Sequence, residues 1–388
     1  MNKIAYFVTE DWTFVEHRLD LAKRMVQEGW DVLLLTRVSR YRDVIEKEGI
    51  RVIPIPLSRK RLNPLKEFFL LLFLIRVFNR EKPDLLHAVG LKPNVYGAVI
   101  VRLCRIKGAI FSVAGFGTAF SSNRFLKSCA TRIYRFSFSV ENSAVIVQNK
   151  EDFRLLSADL IARRGQGVLI RGSGVDTTRF QPAPERSGVP TLLFASRMLR
   201  DKGLLELLEA SCQLIRWNIA HRLILVGRCD PDNPTSLTEE EIKIWTRQPH
   251  IEWWGYRDDM DDIFRGCHIV ALPSYHEGLP KVLLEAMASG RAVVATDIPG
   301  IREVVDHEHN GLLVPVRDVH ALASALQMLL ISPELRARLG RAGREIVEKG
   351  FGVEFLADEH LKLYRRLLAV GESEIRIEEL REHDTRLR

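Results

Sequence analysis

Two glutamates, Glu277 and Glu285, stand around the expected start of a helix in the segment Ser274-Tyr275-His276-Glu277-Gly278-Leu279-Pro280-Lys281-Val282-Leu283-Leu284-Glu285-Ala286. The apolar run 267–272 before them suits a buried parallel strand, and Pro280 is tolerated in the first turn of a helix that ends at Gly290. Strand, loop and helix N-terminus in that order leave the backbone N–H groups near Gly278 and Leu279 without intrahelical partners. They lie at the positive end of the helix dipole, where a phosphate is favoured. Gly278 has no Cβ to keep a ligand at a distance. Val282, Leu283, Ala286 and Met287 share one helical face, so Glu285 falls on a flank. At ~1.5 Å per residue the two carboxylates are about 12 Å apart along a helix and address different parts of one long ligand. Taken alone, the pair also reads as an N-terminal dipole partner and a solvated helix residue.

A basic pair lies upstream. The strand-like run 191–195 is followed by Ser196-Arg197-Met198-Leu199-Arg200-Asp201-Lys202-Gly203 and an apolar helix over 204–214. Arg grips phosphate oxygens with a planar fork and Lys acts as a mobile point charge, so the two together suit a diphosphate.

These segments resemble the retaining family-4 glycosyltransferases. Ser-x-x-Glu-Gly-Leu-Pro-x-x-x-x-Glu-Ala is similar to the donor-site signature of that family, and 196–203 to its Gly-Arg-Leu-x-x-x-Lys-Gly element, with Ser196 where glycine is usual. Gly172-Ser173-Gly174-Val175-Asp176 with Phe180 and Pro182 is similar to its interdomain passage. Ile251-Glu252-Trp253-Trp254-Gly255-Tyr256 is similar to its base-binding strand and loop, and Asn310-Gly311-Leu312-Leu313-Val314 to a late strand. The likeness is strong over residues 171–330 and looser before. It implies Arg197, Lys202 and Glu277 as the catalytic group, the two cations on the donor diphosphate and Glu277 on the donor sugar. It implies Gly278, Leu279, Pro280, Glu285, Tyr256 and Arg257 as donor-binding residues, with Glu285 on the ribose. The implied reaction is transfer, with retention, of a hexose or N-acetylhexosamine from a nucleoside diphosphate sugar, UDP favoured. No cofactor beyond that co-substrate is implied. The carboxylates of Asp258-Asp259 and Asp261-Asp262 sit on a helix start, and no required metal is expected. Two rivals stay open, a nucleotide-sugar 2-epimerase on a similar fold and a non-catalytic nucleotide-sugar-binding protein at the membrane.

On the acceptor side, Thr9-Glu10-Asp11-Trp12-Thr13-Phe14-Val15-Glu16-His17-Arg18 stands where most family members have a Gly-Gly loop. Glu10, Asp11 and His17 are types that bond sugar hydroxyls, and the segment resembles the subset acting on polyprenyl-diphosphate-linked sugars. Capping of the next helix is the alternative for Glu10 and Asp11. Phe116 and Gly117 follow Ala114, near which several family members carry a histidine that this chain lacks; His87 is a spare candidate. Lys92 and Arg124 are candidates for acceptor phosphate.

The elements that must position these residues alternate. Strands over 4–8, 32–36, 52–55, 85–88, 109–113 and 144–147 interleave with helices over 15–28, 64–79, 94–104 and 125–138, and a second alternation runs from 191 to about 350. The expected class is α/β, GT-B: two Rossmann-like doubly wound parallel-sheet domains facing across a cleft. The divisions are an acceptor-binding domain over 1–171, a linker over 172–190, a nucleotide-sugar domain over 191–350, a helix over 351–370 crossing back to the first domain, and a charged tail over 371–388, read as a frayed helix or disorder.

Charge separates the halves. Residues 1–180 hold 30 Lys and Arg against 17 Asp and Glu, or +13, while 181–388 hold 27 against 33, or −6. A basic first half attracts phosphate-bearing acceptors or the inner face of a membrane; no nucleic-acid module accompanies it, so no nucleic-acid partner is expected. The segment Arg59-Lys60-Arg61 before the apolar helix 64–79 reads equally as a core helix or as a membrane contact. No apolar run is long enough to span a bilayer and the start turns acidic at Glu10-Asp11, so a cytoplasmic location is expected. The five scattered cysteines form no Cys-x-x-Cys, so neither disulfide nor zinc is indicated.

Overall fold

Short runs of aliphatic residues, buried along their whole length, can pair only as strands covered on both faces, and helices between them supply the cover. A computed structural model of the chain, describing residues 1–57, 63–116, 124–158 and 161–369, has this architecture twice. The first unit runs β1 (Lys3–Glu10), α1 (Asp11–His17), α2 (Leu19–Gln27), β2 (Asp31–Arg37), α3 (Arg42–Glu46), β3 (Arg51–Pro54), α4 (Pro64–Glu81), β4 (Leu85–Val89), α5 (Leu91–Cys104), β5 (Gly108–Ser112), α6 (Arg124–Phe138), β6 (Ser143–Val147), α7 (Lys150–Ala158) and β7 (Gly167–Leu169). The second runs β8 (Thr191–Ala195), α8 (Leu204–Arg216), β9 (Arg222–Val226), α9 (Glu239–Trp245), β10 (Ile251–Trp253), α10 (Met260–Gly266), β11 (Ile269–Leu272), α11 (Lys281–Ala288), β12 (Ala292–Thr296), α12 (Pro299–Arg302), β13 (Leu312–Val314), α13 (Val319–Ile331) and α14 (Pro333–Gly350), and α15 (Val353–Ala369) follows.

The first sheet has the order β3-β2-β1-β4-β5-β6-β7 and the second β10-β9-β8-β11-β12-β13, with parallel pairing between neighbours. Strand order reverses between β1 and β4 and again between β8 and β11. In open α/β sheets a ligand crevice forms outside the carboxyl ends of the strands at such a reversal. The segments at the ends of β1, β8 and β11 are Glu10-Asp11-Trp12, Ser196-Arg197 and Ser274 to Pro280, so the topology itself delivers the suspected chemistry to two facing edges.

The linker and the chain's return lie side by side. Val175 N–H donates to Phe351 O at 2.9 Å and Val353 N–H to Val175 O at 3.2 Å. From there α15 crosses to the first unit, burying Leu356, Leu361, Leu363, Tyr364 and Leu367 in a core with Ile4, Tyr6, Phe14 and Val32. Two details depart from the sequence reading. The single helix expected over 15–28 is broken at Arg18 (φ −138°, ψ −11°), which closes α1 and opens α2. Helix α11 begins at Lys281, with Pro280 as its N-cap in extended backbone. The expected tail 371–388 lies outside the described residues.

Candidate active site

Lys202 and Glu277 come from different loops and meet. Gly203 makes this possible: at φ +69° it occupies the left-handed region, and a Cβ there would lie 2.0 Å from Pro273 O, so the loop after β8 presses directly on the loop after β11. Tyr275 N–H then donates to Asp201 O at 2.9 Å, and Lys202 Nζ reaches Glu277 Oε1 at 2.7 Å. Ser274 Oγ donates to the same oxygen at 2.7 Å, fixing the carboxylate before the first turn of α11. Arg197 is held through Nη1 by Asp230 Oδ2 at 2.7 Å. Ser196 stands where the family's glycine was expected, yet its φ lies outside the left-handed region and its N–H donates to Val226 O at 3.0 Å, so serine fits unstrained.

The first unit closes over this group. Trp12 faces Arg197 and Arg228, with ring centroid to Cζ distances of 5.8 and 5.2 Å. Lys281 Nζ donates to Glu16 O at 2.7 Å, Asn149 Nδ2 to Gly278 O at 3.1 Å, and Tyr41 OH to Tyr256 OH at 2.8 Å. Four cations thus converge on one cleft. Burial, with Lys281, Arg18, Lys202 and Arg197 nearby, pushes the His17 imidazole down to about 3, so it stays neutral. Burial pushes the Glu16 carboxyl up against the opposing pull of Arg228, Lys281 and Arg197. Glu285 is likewise raised by burial, with Lys281 Nζ 3.9 Å from its Oε1 pulling the other way. A patch rich in cations, edged by a neutral imidazole and by carboxyls that burial pushes up, favours a multiply charged anion.

Comparison with known proteins gives a family match in each of the two domains. Residues 3–149 match the family Glycosyl transferase 4-like and residues 189–332 the family Glycosyl transferases group 1. The chain belongs to the GT-B glycosyltransferases of this group. The glycosyltransferase is 25% identical to the N,N'-diacetylbacillosaminyl-diphospho-undecaprenol alpha-1,3-N-acetylgalactosaminyltransferase of Campylobacter jejuni, over 90% of this chain and 95% of that one. Its fold is similar to that of a sucrose-phosphate synthase from Thermosynechococcus elongatus (TM-score 0.79, 22% identity, 95% and 100% of the two chains). It is also similar to Anabaena HepE solved with UDP-glucose (TM-score 0.78, 18% identity, 94% and 100%).

Of the residues singled out from the sequence, the glycosyltransferase gathers Arg197, Lys202, Glu277, Glu285, Tyr256 and His17 around the cleft. Others take different places. Gly278 meets protein: a Cβ on it would lie 1.8 Å from Ala114 O, so its bareness serves the contact between domains. Leu279 and Pro280 are buried, Leu279 in the second core. Arg257 turns outward to Asp259, with Nε to Oδ1 at 2.8 Å. Glu10 is buried and accepts from Arg37 Nε at 2.9 Å. Asp11 is sealed, accepting from Trp12 N–H, Ser39 Oγ, Ser39 N–H and Tyr41 N–H at 2.6 to 3.1 Å, and it anchors the loop after β2. His87 is fully buried, with Nδ1 2.7 Å from Tyr364 OH and Nε2 2.7 Å from Ser112 Oγ, too deep to touch an acceptor. Phe116 packs edge-on against Tyr134 in the first core. Lys92 pairs with Glu67 at 3.0 Å. Gly117, the Arg124 side chain and Arg59, Lys60 and Arg61 lie outside the described residues.

Sequence reasoning missed Arg228, Trp12, Glu16, Lys281 and the Arg40-Tyr41 pair. Arg228 carried a readable signal, because it follows Gly227 directly after β9, beside β8. Arg40 and Tyr41 carried none: they enter the site only because Asp11 folds their loop toward Tyr256.

Proposed function

We propose that this glycosyltransferase moves a hexose or N-acetylhexosamine, with retention, from a UDP-sugar to a lipid-diphosphate-linked acceptor in cell-surface glycan assembly. The observation that carries the donor half is the Lys202–Glu277 contact at the start of α11, with Arg197 and Arg228 beside it. Cations fixed before the reaction stabilise negative charge growing on a leaving diphosphate, a contribution of roughly 3 kcal/mol per donor. The acceptor hydroxyl attacks the face from which the diphosphate departs, and the β-phosphate takes its proton. Glu277 orients donor-sugar hydroxyls and Glu285 the ribose, while His17, neutral, accepts or donates one hydrogen bond to the acceptor. The UDP preference is supported by the solved likeness to HepE with UDP-glucose, and the lipid-linked acceptor by the Campylobacter relative.

In this reading the enzyme works at the inner face of the membrane. Among the described residues no helix is long and apolar enough to cross one. Helix α4 instead carries two apolar faces: Leu70, Leu74, Val77 and Phe78 are buried, whereas Leu65, Phe68, Phe69, Leu72 and Phe73 are exposed. An exposed aromatic ridge on the basic half of the chain suits the headgroup boundary of an anionic bilayer.

Incubation with UDP-, GDP- and ADP-sugars, with and without membrane lipid extract, tests the reaction. Acceptor-dependent release of free UDP with an unchanged anomeric configuration in the product is expected. Release of an isomerised nucleotide sugar would instead make the protein an epimerase. For the membrane, Phe68→Ser with Phe69→Ser should reduce sedimentation with anionic liposomes, and unchanged sedimentation would overturn that part.

A further inference from the structure

We infer that Trp12, contributed by the first domain, is a positioning residue of the donor-diphosphate pocket: it holds the Arg197 and Arg228 guanidiniums of the second domain in the orientation that receives phosphate. The inference rests on the donor reading above and adds a residue and a coupling to it.

The contacts form a closed circuit across the cleft. Asp11 accepts from the N–H of Trp12 at 2.8 Å and from Ser39 and Tyr41 N–H at 2.7 and 3.1 Å, so one buried carboxylate roots two arms. The first arm is the Trp12 ring, over which Arg228 and Arg197 lie at 5.2 and 5.8 Å. The second arm is Arg40 and Tyr41: Arg40 lies 4.5 Å from the centroid of Tyr256, and Tyr41 OH donates to Tyr256 OH at 2.8 Å. Arg228 closes the circuit by lying 5.4 Å from that same Tyr256 ring.

The type of contact matters for phosphate. Each guanidinium carries five N–H donors in a plane, and an aromatic face attracts the cation without using any of them. A carboxylate in the position of Trp12 would occupy donors and repel an incoming diphosphate. Asp230 takes Nη1 of Arg197 at 2.7 Å and fixes one edge, while Trp12 fixes the plane from the other domain. Because ring and guanidiniums belong to different domains, the orientation exists only when the domains are closed, and phosphate binding therefore favours closure. Linkage requires the reverse as well, so closure tightens the hold on phosphate.

Calorimetric titration of the full-length protein tests this, using UDP, GDP and ADP, each against its own nucleoside. Wild type should bind one diphosphate more tightly than the matching nucleoside. Trp12→Ala should weaken that diphosphate about tenfold, the scale of one desolvated cation–π contact, and leave the nucleoside unchanged. Trp12→Phe should recover most of the loss. If Trp12→Ala fails to fold in a thermal melt, Trp12→Leu, which keeps apolar bulk without the aromatic face, should give the same selective loss. A variant that keeps the wild-type preference for diphosphate overturns the role of Trp12 while the donor reading stands. An equal loss for nucleoside and diphosphate also overturns it, since that is general loosening of the cleft. A wild-type protein with no preference for any of the three diphosphates overturns the donor reading and this inference with it.

Discussion

Glu277 and Asp11 are both carboxylates just beyond a central strand, one in each domain, yet they have been put to opposite uses. Glu277 keeps part of its side chain accessible and pairs with a lysine and a serine hydroxyl from the cleft. Asp11 is 0% exposed and accepts four hydrogen bonds from its own domain. The surroundings decide. The loop after β11 meets Lys202 directly, while the start of α1 is covered by residues 39–41 and must satisfy their N–H groups. A carboxylate near a strand end is paired with a cation at the cleft in one case and is a tie for a loop in the other, and residue type alone does not separate them.

The contrast can be broken by mutation. Lys202→Ala should have the largest effect, lowering kcat for nucleotide release by about 100- to 1,000-fold with little change in melting temperature. Activity within threefold of wild type would remove Lys202 from the chemistry. Asp11→Ala should do the reverse first, costing about 1–3 kcal/mol of stability in urea unfolding as Ser39 and Tyr41 N–H groups lose their acceptor. A full-stability Asp11→Ala with lost turnover would make Asp11 a substrate contact after all.

A third test concerns the first domain's buried imidazoles. Burial, with Arg18 nearby, pushes His360 down to about 3 and His87 well below its ordinary value. The unfolded chain, whose histidines titrate near 6.5, therefore binds more protons than the folded one below that pH. Stability should fall as pH drops from about 6.5 toward 3, by up to ~1.4 kcal/mol per pH unit for each such histidine. Urea midpoints measured at pH 7, 6 and 5 should show a shallower decline in His360→Gln; an identical decline would exclude His360 as a source. The smallest effect is expected at Arg257, paired outward with Asp259, where Arg257→Ala should change donor KM by less than about twofold.

Much of the fold could be read from the chain because both sheets are buried on two faces, so strands such as Val293 to Ala295 and Ile4 to Val8 are unbroken apolar runs. The meeting of Lys202 with Glu277, near Arg197, was legible for a related reason: the parts lie in two contiguous segments, after β8 and after β11, and the fold brings adjacent strand ends together. The first domain resisted. His87, the spare candidate, lies within β4 beside Ser112 of β5, and Tyr364, 277 positions after His87, comes across on α15 and seals it. The kink at Arg18 carried no glycine or proline to announce it. Trp12 carried no signal of its own, because its two arginine neighbours belong to the other domain.

The crossing of α15 also sets an order of events during synthesis. The face of the first domain that includes Ile4, Tyr6, Phe14 and Val32 is completed by residues 356–367. At roughly 5–20 residues per second, a ribosome that has finished β7 needs on the order of 10–40 s more to make that helix. Through that interval the nascent first domain holds an unfilled apolar groove, and a helix made long after it closes the earliest part of the chain.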